Sequence, residues 1–314
     1  MGRLEQGWQG KNDKSKEREM TQTIAFVGLG AMGGEMAETL VKKQMRVVGF
    51  DMRKEAVARL EAAGGSGAAS AAEAAKDADV LALMVVNADQ AEAVLFEGGA
   101  LDALKPGATV ILMSTCAPGR VEEIAGRIER SGRQIIDAPV SGGVTGAKGA
   151  TLTIMASGKQ SVFDGVKPVL NAMGSNLFHI GEKPGQGAAM KTVNQLLCGV
   201  HIAAAAEALA FAEQAGIDPK VALEILSGSA AQSWMLKARG PRMVDYDGVV
   251  TSAVDIFVKD LGIVLDAGRG MKMGLPLAAT AHQLFLSASG GGHGGKDDSQ
   301  VVETYRALRS KGRK

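Results

Sequence analysis

The chain has 314 residues, with 35 Lys and Arg against 34 Asp and Glu, a formal net charge of +1, 46% hydrophobic residues and 22% charged ones. That length suits two domains, and that balance excludes both a disordered chain and the basic surface of a nucleic-acid binder. Two cysteines, Cys116 and Cys198, cannot build a disulfide framework, and His179, His201, His282 and His293 show no metal-ligand spacing, so free thiols and no metal are expected.

Residues 1–20, "MGRLEQGWQGKNDKSKEREM", are polar and without periodicity, which predicts a disordered extension or a leader ahead of an internal start at Met20. The tail "SKGRK" over 310–314 reads the same way. The N-terminus lacks the apolar core of a signal peptide, and no uninterrupted apolar run reaches the ~20 residues of a membrane helix. A cytoplasmic protein that engages neither membrane nor nucleic acid is expected.

The first element is "TIAFV", Thr23 to Val27, an apolar run of the kind a parallel strand covered on both faces shows. Gly28, Gly30 and Gly33 follow, then helical spacing from Glu35 to Lys43. The G-x-G-x-x-G spacing alone is weak in a chain of 42 glycines, but strand, glycines and helix come in the order of a dinucleotide-binding turn. In such a turn Gly28 bends the chain sharply, Gly30 admits backbone close to a pyrophosphate, and Gly33 lets the helix pack on the sheet. The anion then faces unpaired N–H groups at the helix N-terminus. Leu29, Ala31 and Met32 complete the turn. A second run, "RVVGFD", ends at Asp51, 23 residues after Gly28, where a carboxylate can hold the adenosine ribose hydroxyls. This predicts NAD in preference to NADP, with Arg53 nearby as a group that could instead pair with a 2′-phosphate. The plainer alternative is a glycine-rich turn with Asp51 capping the next helix.

The runs "VLALMVV", "TVILM", "RQIIDAPV", "TLTIMAS" and "NLFHI" alternate with helical patterns as far as Gly181. They predict a doubly wound, mostly parallel α/β sheet of the Rossmann type over residues 21–183. Past "GEKPGQG" no convincing strand remains. Helices punctuated by "AGIDP", "ARGPR", "MGLP" and "SGGGHGG" predict an all-helical domain over 184–309.

The first of these helices, "QGAAMKTVNQLLCGVHIAAAAEALAFAEQAG", is apolar or small on nearly every side, which predicts burial in a core or a subunit interface, and hence a homodimer or homotetramer. Lys191, Asn194, Gln195 and Cys198 fall at i, i+3, i+4 and i+7 and so share a stripe. No Asp, Glu, Lys or Arg lies between Thr192 and Ala206, so this seam reads as a functional cleft in preference to a solvated face. In "SAVDIFVKDLGIVLDAG", Lys259 and Asp260 interrupt an apolar helix, and spacing alone leaves a surface edge nearly as good a reading.

Taken together, "GLGAMG", "DAPVSGG" at 137–143, "GQGAAMKTVNQ" at 185–195, "KDL" at 259–261 and "GGKDDS" at 294–299 resemble the β-hydroxyacid dehydrogenase family, over residues 23 to 309. The resemblance implies oxidation of a small hydroxy acid with NAD, and Lys191 as the catalytic group. Burial would lower the pKa of that lysine and suit it to act as general base in oxidation and general acid in reduction. It further implies that Ser141, Gly142 and Gly143 hold the substrate carboxylate, that Val86 and Asn87 bind the cofactor, that Thr115 lines its nicotinamide side, and that Lys259 and Asp260 close over cofactor and substrate. Some members carry Asn four residues after the lysine. Here that place is Gln195, with Asn194 one residue earlier, and both can reach the seam.

Similarity in "VVNADQ", "SAVDIFVKDLG" and "GKDDSQV" is greatest to the branch acting on four-carbon sugar acids, which implies oxidation of L-threonate at C2 to the 2-oxo acid. Tartronate semialdehyde reduction or 3-hydroxyisobutyrate oxidation would use every residue named. A non-catalytic cofactor-binding scaffold would lack the lysine.

Overall fold

The structure is a computed structural model that describes residues 22–308, so the expectations for residues 1–20 and 310–314 lie outside the described residues. Among the described residues nine strands form one sheet: β1 (Thr23–Val27), β2 (Arg46–Phe50), β3 (Ser66–Gly67), β4 (Val80–Leu83), β5 (Thr109–Leu112), β6 (Gln134–Asp137), β7 (Val140–Ser141), β8 (Thr153–Ser157) and β9 (Asn176–Gly181). Their order is β3-β2-β1-β4-β5-β6-β8-β7, with β9 on β8. Pairings are parallel except those of β8 with β6 and β7. The run "RQIIDAPV" is thus two strands. Pro139 has no N–H for the ladder, and the chain turns there into an antiparallel corner. β3 is too short for any periodicity to reveal.

Helices of eight or more residues are α1 (Ala31–Lys42), α2 (Lys54–Ala62), α3 (Pro118–Arg130), α4 (Gln160–Met173), α5 (Gln186–Gln214), α6 (Pro219–Gly228), α7 (Trp234–Val244), α8 (Val254–Gly270) and α9 (Pro276–Ala288). One face of the sheet is covered by Met36 and Leu40 of α1 with Phe163 and Leu170 of α4, and the other by Val121, Ile124 and Ile128 of α3. Covered on both sides, β4 and β5 are buried at every position, which is why their sequences are continuous apolar runs. A third core lies in the helical half, around Leu209, Leu236, Phe257, Leu261 and Phe285.

Although α5 contains no uninterrupted apolar run of membrane length, its 29 residues are apolar enough on average to cross a bilayer. Half of its most apolar window is instead buried against its neighbours. The opposite side leaves Met190, Val193, Leu197 and Phe211 exposed.

Where α5 leaves the sheet, its first turn rests on β6. Asp137, wholly buried at the end of β6, accepts the backbone N–H groups of Gly185 (3.0 Å) and Ala188 (2.8 Å) and the hydroxyl of Ser157 (3.2 Å) at Oδ2. Ser157 Oγ in turn accepts the Gly187 N–H. A side chain of the sheet thus satisfies the orphan donors that open the helix. Burial drives the Asp137 carboxyl up to about 6, against the pull of these backbone donors.

Candidate active site

The strand order reverses between β1 and β4, and at such a switch point the loops leaving the C-terminal strand ends spread apart and open a crevice. A cleft of about 330 Å³ lies there, between the sheet and the helical half. From the sheet side it is lined by Gly30, Ala31, Met32, Gly33, Val86, Thr115, Ser141, Gly142 and Gly143, and from the helices by Lys191, Gln195, Lys259 and Asp260. The long-range topology therefore brings together most of the residues picked from sequence. Gly28, Leu29 and Asp51 do not line it, Asp51 instead accepting the Leu29 N–H, and Asn87 caps the helix Ala88–Glu92 through its Oδ1.

The dinucleotide turn has the stereochemistry its glycines require. Gly28 has φ +92°, and a Cβ on Gly33 would collide with the Gly28 carbonyl oxygen, so the close approach of α1 to β1 depends on Gly33. A Cβ on Gly30 would meet only Arg53, and Gly30, the N-cap of α1, leaves the helix N-terminus without a side-chain cap. Open N–H groups and an unobstructed cradle fit a pyrophosphate. Gly33→Ala is expected to push α1 off the sheet and raise the KM for NAD by about tenfold or more, measured by initial rates. An unchanged KM would show that the turn tolerates a side chain.

Asp51 accepts the Leu29 N–H at Oδ2 (2.8 Å) and the Arg53 N–H (2.9 Å) and Nε (3.1 Å) at Oδ1. Burial works against its charge, but the Arg53 side chain and these two N–H groups outweigh it and hold the carboxyl below its usual range. Arg53 is thus engaged with a carboxylate that a 2′-phosphate would have to approach. The expected result is a kcat/KM for NAD above that for NADP by about tenfold or more. A clear NADP preference would mean that Arg53 controls the site.

Across the cleft, Lys191 on α5 is only 7% exposed, and its ammonium has no hydrogen-bond or ion-pair partner among the described residues. Desolvation lowers its pKa, against the opposing pull of Asp260. A lysine so placed can exchange a proton with a ligand in the cleft. Gln195, one turn further on, also faces the cleft. Its Nε2 donates to Asp260 Oδ2 (2.5 Å) and its Oε1 accepts Asn194 Nδ2 (2.8 Å). Asn194, whose Nδ2 also reaches Cys198 Sγ (3.3 Å), is not part of the lining. Asn194 stays on the same stripe, where it buttresses Gln195 from beside the cleft. Lys259 spans the cleft, with Nζ donating to the Thr115 carbonyl (3.1 Å) and standing 2.6 Å from Asp260 Oδ1.

Sequence reading missed Arg239. It lies on α7, lines the same cleft, and is 8% exposed. Its Nε donates to Asp298 Oδ1 (2.7 Å) and its Nη2 to Asp298 Oδ2 (3.1 Å), while Arg242 reaches Asp297 (2.9 Å). The "KDDS" signature thus builds two ion pairs that tie the 297–298 segment to α7. The apolar Leu236 and Met243, flanking Arg239 at i−3 and i+4, are the signal that could have marked it as inward-facing.

Known proteins resemble both halves of the chain. Residues 23–181 match the NAD-binding domain of 6-phosphogluconate dehydrogenase, and residues 185–305 match the NAD-binding domain of NADP-dependent 3-hydroxyisobutyrate dehydrogenase. The chain is 43% identical over 295 residues to the L-threonate dehydrogenase of Cupriavidus necator, covering 94% of this chain and 99% of that protein. It is 42% identical over 293 residues to that of Escherichia coli, covering 93% and 97%. The crystal structure of a 3-hydroxyisobutyrate dehydrogenase from Salmonella typhimurium superposes with a TM-score of 0.86 at 43% identity, covering 90% of this chain and 99% of that one. With both halves matched and the relatives spanned almost end to end, the chain belongs to the β-hydroxyacid dehydrogenase family, NAD-dependent oxidoreductases related to 3-hydroxyisobutyrate dehydrogenase.

Proposed function

We propose that this dehydrogenase oxidises L-threonate at C2 to the 2-oxo acid, with Lys191 as the catalytic proton acceptor. NAD, cradled by the turn at Gly30 and Gly33, would supply the hydride acceptor for the carbinol carbon. The Ser141 hydroxyl, which has no partner among the described residues, and the backbone N–H groups of Gly142 and Gly143 hold the carboxylate. Gly142 and Gly143 have φ +128° and +62°, so this loop takes its shape from residues without a Cβ. Lys191 Nζ takes the hydroxyl proton in oxidation and returns it in reduction, and Gln195, held between Asn194 and Asp260, orients the hydroxyl. The observation that carries the reading is a buried, unpaired lysine opening into a cleft whose other wall is the "PVSGG" loop.

The substrate assignment draws support from the relatives named L-threonate dehydrogenase. The name of the Salmonella typhimurium structure, at the same 43% identity, favours 3-hydroxyisobutyrate as the second reading. Steady-state kinetics with L-threonate, D-threonate, D-erythronate, D-glycerate and 3-hydroxyisobutyrate separate them. The highest kcat/KM is expected with L-threonate. A 3-hydroxyisobutyrate maximum overturns the substrate, and a D-erythronate maximum overturns only the isomer.

We also infer a two-domain cytoplasmic protein that assembles as a dimer or tetramer. The exposed apolar stripe of α5, with Ile217, Val221 and Ile225 beside it, supports a subunit interface there. Light scattering that returned a monomer at micromolar concentration would remove this part.

A further inference from the structure

The polar groups that a sugar acid would seek in this cleft are largely engaged with one another. Gln195 Nε2 donates to Asp260, Gln195 Oε1 accepts Asn194, and Asn194 also reaches Cys198. Lys191 is committed to the C2 hydroxyl and the "PVSGG" loop to the carboxylate. A four-carbon sugar acid brings two further hydroxyls, at C3 and C4, and each costs free energy if buried without a partner.

Besides the hydroxyls of Thr115 and Ser252, Arg239 is the strong donor on this lining that can meet them. Nε and Nη2 are fixed by the fork of Asp298, which sets the plane of the guanidinium. Nη1 carries two more N–H groups, and no acceptor for them exists among the described residues. Nη1 is nevertheless not sealed from solvent, and the opening that Arg239 lines is the cleft. Charge narrows the ligand. Asp298, fully buried, already neutralises the guanidinium, so Arg239 offers donors without net charge to the cleft. Such a donor suits a neutral hydroxyl better than a second carboxylate. Its position agrees: Arg239 reaches the cleft from α7, together with Trp234 and Met235 of the same helix, whereas Lys191 reaches it from α5.

We infer that Arg239, held by Asp298, is the specificity residue that donates from Nη1 to the hydroxyls beyond C2, and so selects polyhydroxylated acids over their deoxy analogues. This rests on the L-threonate reading of the same cleft.

The test compares L-threonate with 2-hydroxybutyrate of the same C2 configuration, an acid of equal length that lacks the C3 and C4 hydroxyls. 2-Hydroxybutyrate is followed by turnover or, if that is too slow, by competitive inhibition. Arg239→Lys keeps a cation beside Asp298 but withdraws Nη1. The double variant Arg239→Met with Asp298→Leu removes the donors without leaving a buried charge, and so guards against a folding defect. In both, the preference for L-threonate over 2-hydroxybutyrate is expected to shrink by about 10- to 100-fold, mostly through L-threonate. An equal loss on both acids, or an unchanged preference, overturns the role of Arg239 and leaves the L-threonate reading standing. Wild-type enzyme that fails to oxidise L-threonate while turning over 3-hydroxyisobutyrate overturns that reading, and this inference with it.

Discussion

Lys191→Met is expected to lower turnover by a factor of about a hundred to ten thousand while leaving the fold and NAD binding intact. The side chain is buried and its ammonium has no partner, so Met, of similar length, fills the space and removes a desolvated charge without stranding an acceptor. The glycine turn that would cradle the pyrophosphate lies on the opposite wall, so a fluorescence titration with the cofactor should be unchanged. The pH dependence sharpens the test. Oxidation needs the free base, and desolvation lowers the Lys191 pKa from 10.5. The kcat/KM for oxidation is therefore expected to rise with pH and level off below pH 10.5, and the variant should lose that limb. Turnover near that of the wild type, or a limb that survives the substitution, would dismiss Lys191 as the proton carrier.

The second large effect concerns stability. Asp298→Leu is expected to cost about 3–5 kcal/mol of unfolding free energy, because it strands the buried Arg239 guanidinium. Burial pushes the Asp298 carboxyl up to about 6 even with Arg239 beside it, so the pair is held in a strongly desolvating place. Replacing both partners with apolar residues removes the stranded charge, and the double variant with Arg239→Met should recover most of the loss. Urea unfolding of wild type, both single variants and the double variant completes the cycle. If Asp298→Leu unfolds like the wild type, the pair carries no weight in the helical half.

The difference between what was legible and what was not follows the range of the interactions. β1, the glycine turn and α1 were readable because their signals are local: an apolar run, three residues without a Cβ, and a helical period within 20 residues. The breadth of α5 was readable for the same reason. The choice between Asn194 and Gln195 was not, since spacing puts both within reach of the seam, and it is Asp260, 65 residues away, that draws Gln195 inward. Arg239 was invisible on its own because an arginine in "ARGPR" looks like a surface residue until Asp298, 59 residues later, folds against it. The short β3 and the break at Pro139 lie below the length at which a period exists.

The anchoring of α5 on Asp137 holds that helix at one end. That carboxylate acts as a pivot at the very start of a long lever. Lys191 stands only about 5 Å along the axis from the pivot, whereas Gln214 is about 40 Å away. A swing of about 10° would carry the lysine by about 1 Å and the far end of the rod by about 7 Å. Any such swing would therefore leave Lys191 nearly in place beside the sheet while it displaced the far end of the rod.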